Sequence, residues 1–358
     1  MSYIARIAET CNSIAFSQEE LSYYARHFLL PSIGTIGQQK LKCARVLVVG
    51  AGGIGCPVLQ ALAGAGVGRL TIADGDAVAL SNLSRQWLHR HSDVGLNKAE
   101  SAKQQLVKLN PSIEVDVVAS MLDDSNAQEL IADHDLVVDA TDDMDVRYLI
   151  DTVSAEFNHP WVHAALYRDN SQLCVFWEKC GARFCDLFPE RSEAPSCAGA
   201  GILGAVASVA ANLQALEVVK LIVGSSVPKV GTVVLIHAAN YQIQSFQLPG
   251  IAPPEFIQTE SEQLPLHSWS MDQLCQAQSI DAPLRLIDLR SDAQQAALPL
   301  DGAESMSAER ILELGLGEEL STTVLLVCDA GIVSSLLADA LRSRGHSNVF
   351  HLEAGYSI

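Results

Sequence analysis

The chain has 358 residues, 49% of them apolar and 18% charged, with a formal net charge of −19. It is long enough for more than one domain, and its composition is that of an ordinary globular protein. The acidic balance argues against a nucleic-acid partner and against an anionic membrane, because phosphate groups are held by clustered Lys and Arg. Residues 1–16 show no continuous apolar core after a basic start, so no signal peptide is expected. Nine cysteines, an odd number, point to reduced thiols and a cytoplasmic location.

Residues 17–42 open as an amphipathic helix. Leu21, Tyr24, Phe28 and Leu29 recur at helical spacing until Pro31 stops it, and Arg26 on its own reads as a solvated helix charge. Residues 45–76 then read as strand, glycine turn, helix, strand. Gly50, Gly52, Gly53 and Gly55 carry a G-x-G-x-x-G pattern after an apolar β-branched run. Glycines there let the chain turn tightly and let a phosphate approach the next helix N-terminus, where unpaired N–H groups and the helix dipole favour an anion. Asp74 ends the second strand 19 residues after Gly55, placed to accept hydrogen bonds from ribose hydroxyls. Nucleotide binding follows from this unit; which nucleotide does not.

The polar segment at 81–86 should lie at the carboxyl edge of the sheet, so Asn82, Arg85 and Gln86 could face the same phosphates. Asn97 is a plausible cap for the next helix, and Lys98 sits in its first turn, where the dipole disfavours a cation unless an anion is near. After a strand at 113–119 and a helix at 125–132, a buried strand at 136–138 ends in a cluster of Asp139, Asp142, Asp143 and Asp145. Carboxylates gathered at a strand end suit Mg²⁺ held through one or two acids plus substrate phosphates. For Asp143 and Asp145 the simpler reading is a capped turn before a helix.

Two strands at 161–177 precede an irregular stretch at 184–197 ending in Cys197, at the start of a long apolar helix over 201–223. Ser208, Asn212 and Gln214 interrupt that helix, which reads as buried rather than membrane-spanning. A helix N-terminus favours a thiolate at Cys197, while a buried inert thiol is the commoner fate of a cysteine. The unpatterned, Pro- and Gln-rich segment at 250–265 is a linker. Past it, a strand at 324–327 ends in Cys328 and is followed by Gly331 and a helix, which is either a thiol cradled by backbone N–H groups or an ordinary second βα unit.

Taken together, YARHFLL, VLVVGAGGIGCPV, GVGRLTIADGD, LSNLSRQ, VGLNKAESA, VVDATDDMDVR and LQALEVVKLIVG closely resemble the MoeB/ThiF family, relatives of the ubiquitin-activating enzymes. The resemblance implies an α/β fold, a Rossmann-like nucleotide-binding activating domain at 1–249. It implies ATP- and Mg²⁺-dependent adenylation of the C-terminal glycine of a ubiquitin-fold sulfur-carrier protein ending in Gly-Gly, followed by thiocarboxylate formation with sulfur from a donor such as a cysteine desulfurase. Thiamine thiazole synthesis is the favoured pathway and molybdopterin synthesis the next. By the same resemblance the glycines form the nucleotide turn, Asp74 binds ribose, Asn82, Arg85, Gln86 and Lys98 grip phosphates, and Asp142 holds Mg²⁺. Arg26 would reach into the partner subunit's site of a homodimer, and Cys197 falls where ThiF members carry the thiol that bonds to the carrier.

Residues 266–358 resemble a small α/β rhodanese-like domain, in which Cys328 would carry a persulfide. Departures accompany these likenesses. The family's structural zinc needs two C-x-x-C pairs, whereas here Ala182 replaces the mate of Cys185, Cys180 lies two residues away, and PGIAPPEF replaces the second pair, so no zinc is expected. Asp329 stands beside Cys328 and Val333 replaces a usual basic residue, so the loop reads as degenerate. Asp143 replaces a usual Asn. A nicotinamide-dependent oxidoreductase, an adenylating enzyme for another peptide or small acyl substrate, and a scaffold with an inactive C-terminal module are the competing readings.

Overall fold

In the computed structural model the described residues are 16–28, 30, 32–189, 201–224, 228–251, 268–279, 284–308, 310–311, 316, 322–329, 331–343, 345–353 and 355–356. Cys197 and most of the expected linker lie outside them. The chain divides into two compact units, one of Met1–Phe16 with Ser32–Gln258, the other of Ser17–Pro31 with Thr259–Ile358. Helices α1 (Gln18–Tyr23) and α2 (Ala25–Phe28) therefore belong to the second unit, where a sequence reading attaches them to the first.

The first unit is built on a sheet of strand order β3-β2-β1-β4-β5-β6-β7-β8. Its parallel part comprises β1 (Arg45–Val49), β2 (Arg69–Ala73), β3 (Glu114–Val118), β4 (Leu136–Asp139) and β5 (Trp161–Tyr167). Antiparallel β6 (Asn170–Phe176), β7 (Thr232–His237) and β8 (Gln242–Gln247) extend it. Alternation along β1 sorts the core into two layers, because successive strand side chains face opposite sides. Val46 and Val48 pack with residues of α3 (Gly34–Cys43), α4 (Gly55–Ala65), α5 (Lys98–Leu109) and the long apolar helix. Leu47 and Val49 pack with α6 (Ala127–Ala132) and α7 (Met144–Phe157).

The registers explain where a ligand belongs. Val49 pairs with Ala73 on one side and with Asp139 on the other, so Gly50, Asp74 and Ala140 emerge together at the carboxyl edge. Strand order reverses at β1, and in open α/β sheets ligands bind at such a switch point.

After the short α8 (Phe184–Leu187) comes the long helix α9 (Gly204–Val223), 20 residues long and apolar enough to cross a membrane by length and composition, with 61% of its apolar window buried inside the protein. Its polar Gln214 is fully buried and bridges the carbonyl oxygens of Asp139 and Val162, at 2.7 and 2.8 Å. Lys40 donates to the carbonyl oxygen of Val223 and Gly224 adopts φ 73°, together closing the helix C-terminus. Cys56, Cys174, Cys180, Cys185, Cys275 and Cys328 are free thiols, as expected, whereas Cys43 is disulfide-bonded, against the expectation of reduced cysteines.

The second unit carries an all-parallel sheet of order β11-β10-β12-β13-β9. Its elements are β9 (Ser268–Trp269), α10 (Met271–Ser279), β10 (Leu284–Asp288), α11 (Asp292–Ala297), β11 (Ala303–Ser305), β12 (Thr323–Val327), α12 (Ile332–Ser343) and β13 (Val349–Leu352). Val324 and Leu326 face one apolar layer and Leu325 and Val327 the other. Arg290 and Asp288 form a buried ion pair of 2.7 Å at the end of β10. Before α1, Ser17 accepts the Glu20 N–H while the Glu20 carboxylate accepts the Ser17 N–H, a reciprocal cap.

Candidate functional site

A cavity of about 280 Å³ opens at the switch point of the first unit and is lined by Gly50, Gly52, Gly53, Asp74, Asn82, Arg85, Gln86, Lys98 and Asp142. These expected site residues thus come together from separate segments. Gly55 does not line the cavity. It is the first residue of α4 and allows close approach, since a Cβ there would lie 2.0 Å from the Gly50 carbonyl oxygen. Gly50 has φ 100° and abuts Ala140, so it too serves the turn itself. Gly52 and Gly53 differ: an added Cβ would come no closer than 3.7 Å to any neighbour, Gln86 Nε2 at the first and Arg85 Cδ at the second. The backbone there is bare toward the cavity, as a phosphate cradle requires.

Around this turn the polar groups hold one another. Asp74, 5% exposed, accepts the N–H of Ala51 at 2.7 Å and that of Asp76 at 2.9 Å, so its carboxylate ties the turn to the end of β2. Each carboxylate oxygen retains a second acceptor site for a sugar hydroxyl. Asn97 caps α5 through the N–H groups of Ala99 and Glu100 and donates to the Asp74 carbonyl, placing Lys98 in the first turn. The Lys98 ammonium reaches Asp76 at 2.6 Å, a pairing across 22 residues that sequence reasoning missed. Arg85 donates to the Ser81 carbonyl at 3.1 Å, and Asn82 accepts the Ala79 N–H at 3.0 Å. Gln86 is buried, and its Oε1 has no hydrogen-bond partner among the described residues.

The aspartates after β4 separate by role. Asp143 caps α7, accepting the N–H groups of Asp145 and Val146. Asp142 is exposed and lines the cavity. Asp139, read from sequence as part of the same cation-seeking cluster, is instead wholly buried and already compensated. Arg147 Nε lies 3.1 Å and His163 Nδ1 2.7 Å from its Oδ2, while the Thr141 N–H donates to Oδ1 at 3.0 Å. Arg147 also donates to the Thr141 carbonyl at 2.6 Å, so the pair clamps the peptide just before Asp142. Burial holds His163 below the ordinary histidine range and so neutral. Arg147, Asp76 and Met121 also line the cavity. Asp142 is the candidate metal ligand of the cavity, and among the described residues no group of three His, Cys, Asp or Glu is placed to hold one. This donor set fits Mg²⁺ completed by substrate phosphates. At the expected first zinc pair, Cys180 and Ala182 are buried and Cys185 is exposed.

Arg26 is exposed on α2 in the second unit. Also in that unit, Cys328 is buried at the end of β12, and its sulfur accepts the Ser334 N–H at 3.4 Å and lies 3.2 Å from the Ser334 hydroxyl. The Asp329 carboxylate accepts from Gln294 at 3.1 Å.

The family described as "ThiF family" matches residues 24–254. A probable adenylyltransferase/sulfurtransferase, MoeZ, of Mycobacterium tuberculosis is 33% identical over 371 residues, covering 95% of this chain and 93% of the relative. The sulfur carrier protein adenylyltransferase of Thermus thermophilus is 40% identical over 231 residues, 62% of this chain and 85% of the relative. Among solved structures, that of Escherichia coli MccB with MccA-N7isoASN is similar at a TM-score of 0.57 and 25% identity, covering 68% of this chain and 75% of that one.

Proposed function

The chain belongs to the ThiF family, and on that premise we propose that it adenylates the C-terminal glycine of a ubiquitin-fold sulfur-carrier protein in the cavity of its first unit. A carboxylate oxygen of the carrier attacks the α-phosphorus of ATP. The bond from that phosphorus to the bridging oxygen of the β-phosphate breaks, and pyrophosphate leaves with the electron pair. The product is an acyl adenylate, ready for a sulfur nucleophile.

Attack of an anion on an anion needs positive charge where negative charge develops. Arg85 and Lys98, which both line the cavity, supply it, Lys98 exchanging Asp76 for phosphate as the nucleotide arrives. Gly52 and Gly53 present bare backbone to the phosphates, and Asp74 orients the ribose. Asp142 would hold Mg²⁺, which when bound neutralises phosphate oxygens. The clamp of Asp139 and Arg147 on Thr141 keeps the Asp142 backbone in place. The gathering of Arg85, Lys98 and Asp142 on one glycine-turn cavity carries this reading over hydride transfer, which needs no triphosphate and metal set.

Residues 1–249 supply the adenylation domain, although Ser17–Pro31 groups with the second unit, and 250–265 are a linker. Residues 266–358 are a rhodanese-like domain whose Cys328 would hand on a sulfur atom, and the match along 95% of this chain to the mycobacterial relative named a probable adenylyltransferase/sulfurtransferase supports a second, sulfur-handling part. The protein acts as a homodimer in which Arg26 serves the partner subunit's site, an exposed position suited to that use. Its sulfur comes from a donor such as a cysteine desulfurase and passes through Cys197 or Cys328. The acceptor pathway is thiazole or molybdopterin synthesis.

The test is ATP–pyrophosphate exchange with each candidate carrier ending in Gly-Gly, for wild type and Asp142→Ala. Exchange that depends on one carrier and disappears in the variant is expected. Exchange retained by Asp142→Ala would sink the metal assignment, and tight ATP binding with no exchange for any carrier would point to another acyl substrate.

A further inference from the structure

Beneath the glycine turn runs a buried chain of hydrogen bonds with no part in the reaction as written above. His89, 4% exposed, places Nε2 3.0 Å from the carbonyl oxygen of Ala51, the residue between Gly50 and Gly52. Its Nδ1 lies 2.9 Å from the Ser101 hydroxyl, and that hydroxyl lies 2.9 Å from Asp93 Oδ2. The Ala51 N–H in turn donates to Asp74. His89 thus holds the carbonyl of the residue whose N–H is held by the expected ribose carboxylate.

Counting hydrogens along this chain exposes a shortfall. A carbonyl only accepts, so Nε2 carries a hydrogen. Ser101 has one hydroxyl hydrogen and faces two acceptors, the Asp93 carboxylate and Nδ1 of a neutral ring. One contact is therefore unsatisfied while His89 is neutral. A second proton on Nδ1 completes the chain, because the ring then donates to Ser101 and Ser101 donates to Asp93.

We propose that His89 is a positioning residue for the nucleotide turn and takes up a proton when MgATP binds there. This rests on the reading that the polyphosphate lies over that turn. The charged and titratable groups facing the ring come from every neighbouring segment: Asp93 before α5, Lys98 in its first turn, Asp74 after β2 and Cys56 on α4. Burial holds His89 below the ordinary histidine range, with Lys98 acting in the same sense and Asp74 and Asp93 opposing. Burial works against ionisation of Asp93, but hydrogen bonds from the Arg90 N–H, Ser101 and Ser92 outweigh it and keep the carboxylate ionised. Cys56, which donates to the same Ala51 carbonyl, is pushed up to about 12 by burial and stays a neutral thiol. Bound polyphosphate adds negative charge beside the ring and draws the Lys98 ammonium toward itself. Both changes favour the imidazolium, and the proton comes from the buffer.

The experiment is isothermal titration calorimetry of MgATP into the full chain without carrier, repeated in buffers of different ionisation enthalpy at about pH 7.5, above the unperturbed histidine range. Wild type is expected to take up about half a proton more per MgATP than His89→Gln, the linked quantity being the difference in protons held by the two states. Protonation of the nucleotide itself cancels in that difference. Ser101→Ala, which keeps the ring and its Ala51 contact but removes the bridge to Asp93, should lose the same uptake. Equal proton uptake by wild type and both variants, with MgATP bound in each, would overturn the proposal. Should His89→Gln fail to fold, ¹⁵N spectra of the histidine rings in wild type decide: one ring should pass from a neutral Nε2–H pattern to imidazolium on adding MgATP, and no change in any ring overturns the inference. Wild type that binds no MgATP would overturn the nucleotide reading itself.

Discussion

Gly53→Ala and Gly55→Ala add the same methyl group to the same motif, yet the structure separates their consequences. At Gly55 the new carbon would lie 2.0 Å from the Gly50 carbonyl oxygen and 2.8 Å from its carbon, backbone atoms that cannot rotate away. Overpacking of this kind costs about 3 kcal/mol, offset by about 1 kcal/mol from the better helix propensity of Ala. The remaining loss of about 2 kcal/mol should lower the melting temperature of the first unit by roughly 4–8 °C. At Gly53 the nearest atoms, Arg85 Cδ at 3.7 Å and Ala207 Cβ at 3.9 Å, are at ordinary contact distance. Stability should therefore stay within about 0.5 kcal/mol of wild type. The methyl instead enters the space over the turn and lifts a phosphate off the backbone N–H groups. Losing one such charge-assisted hydrogen bond, worth about 1.5–3 kcal/mol, weakens MgATP binding roughly 10- to 150-fold. Thermal unfolding and MgATP titration of both variants check this. Gly53→Ala that binds MgATP like wild type would place the phosphates elsewhere, and Gly55→Ala that melts with wild type would show the turn relaxing at no cost.

Arg147→Met should destabilise the first unit by about 3–5 kcal/mol, because it leaves the buried Asp139 carboxylate without its guanidinium; an unchanged urea midpoint would contradict this. Burial holds His89, His134 and His163 below the ordinary histidine range. The unfolded chain takes up protons near pH ~6.5 while the folded chain resists them, so stability should fall as pH drops below that value. Melting temperatures flat from neutral pH down through that range would refute it. Cys328→Ala should leave ATP–pyrophosphate exchange intact, since the thiol acts after adenylation; loss of exchange by a folded variant would merge steps that are separated here.

Much of the site was legible because each part leaves a local trace. Gly50 and Gly55 are demanded by the tight turn after a β-branched strand, Asn97 by the helix it caps, and Asp143 by the two N–H groups it accepts. Asp139 was not legible. Acids follow it closely in sequence, but its partners, the charged Arg147 and the neutral hydrogen-bonding His163, stand on the next helix and the next strand, and only the pairing of β4 with β5 brings His163 alongside. The same holds for Asp76 with Lys98 and for Ala51 with His89, pairs made by the return of the chain to the sheet edge. In the fold, the strands and long helices were readable from apolar alternation and length, whereas the grouping of Ser17–Pro31 with the second unit depends on tertiary contact that no local period encodes.

The ion pair of Lys98 with Asp76 changes what it means for this protein to capture a polyanion. The molecule carries a net charge of −19, and this buried lysine is already matched by a carboxylate 2.6 Å away. An incoming triphosphate meets no unbalanced positive charge there to draw it in from afar. In the function proposed above it displaces one anion and takes that anion's place, so the lysine compensates a single partner before and after. Dissolved salt weakens attraction that acts across a distance. A swap made at contact gives it little to weaken, and recognition at Lys98 then rests on shape and hydrogen-bond geometry within the cavity.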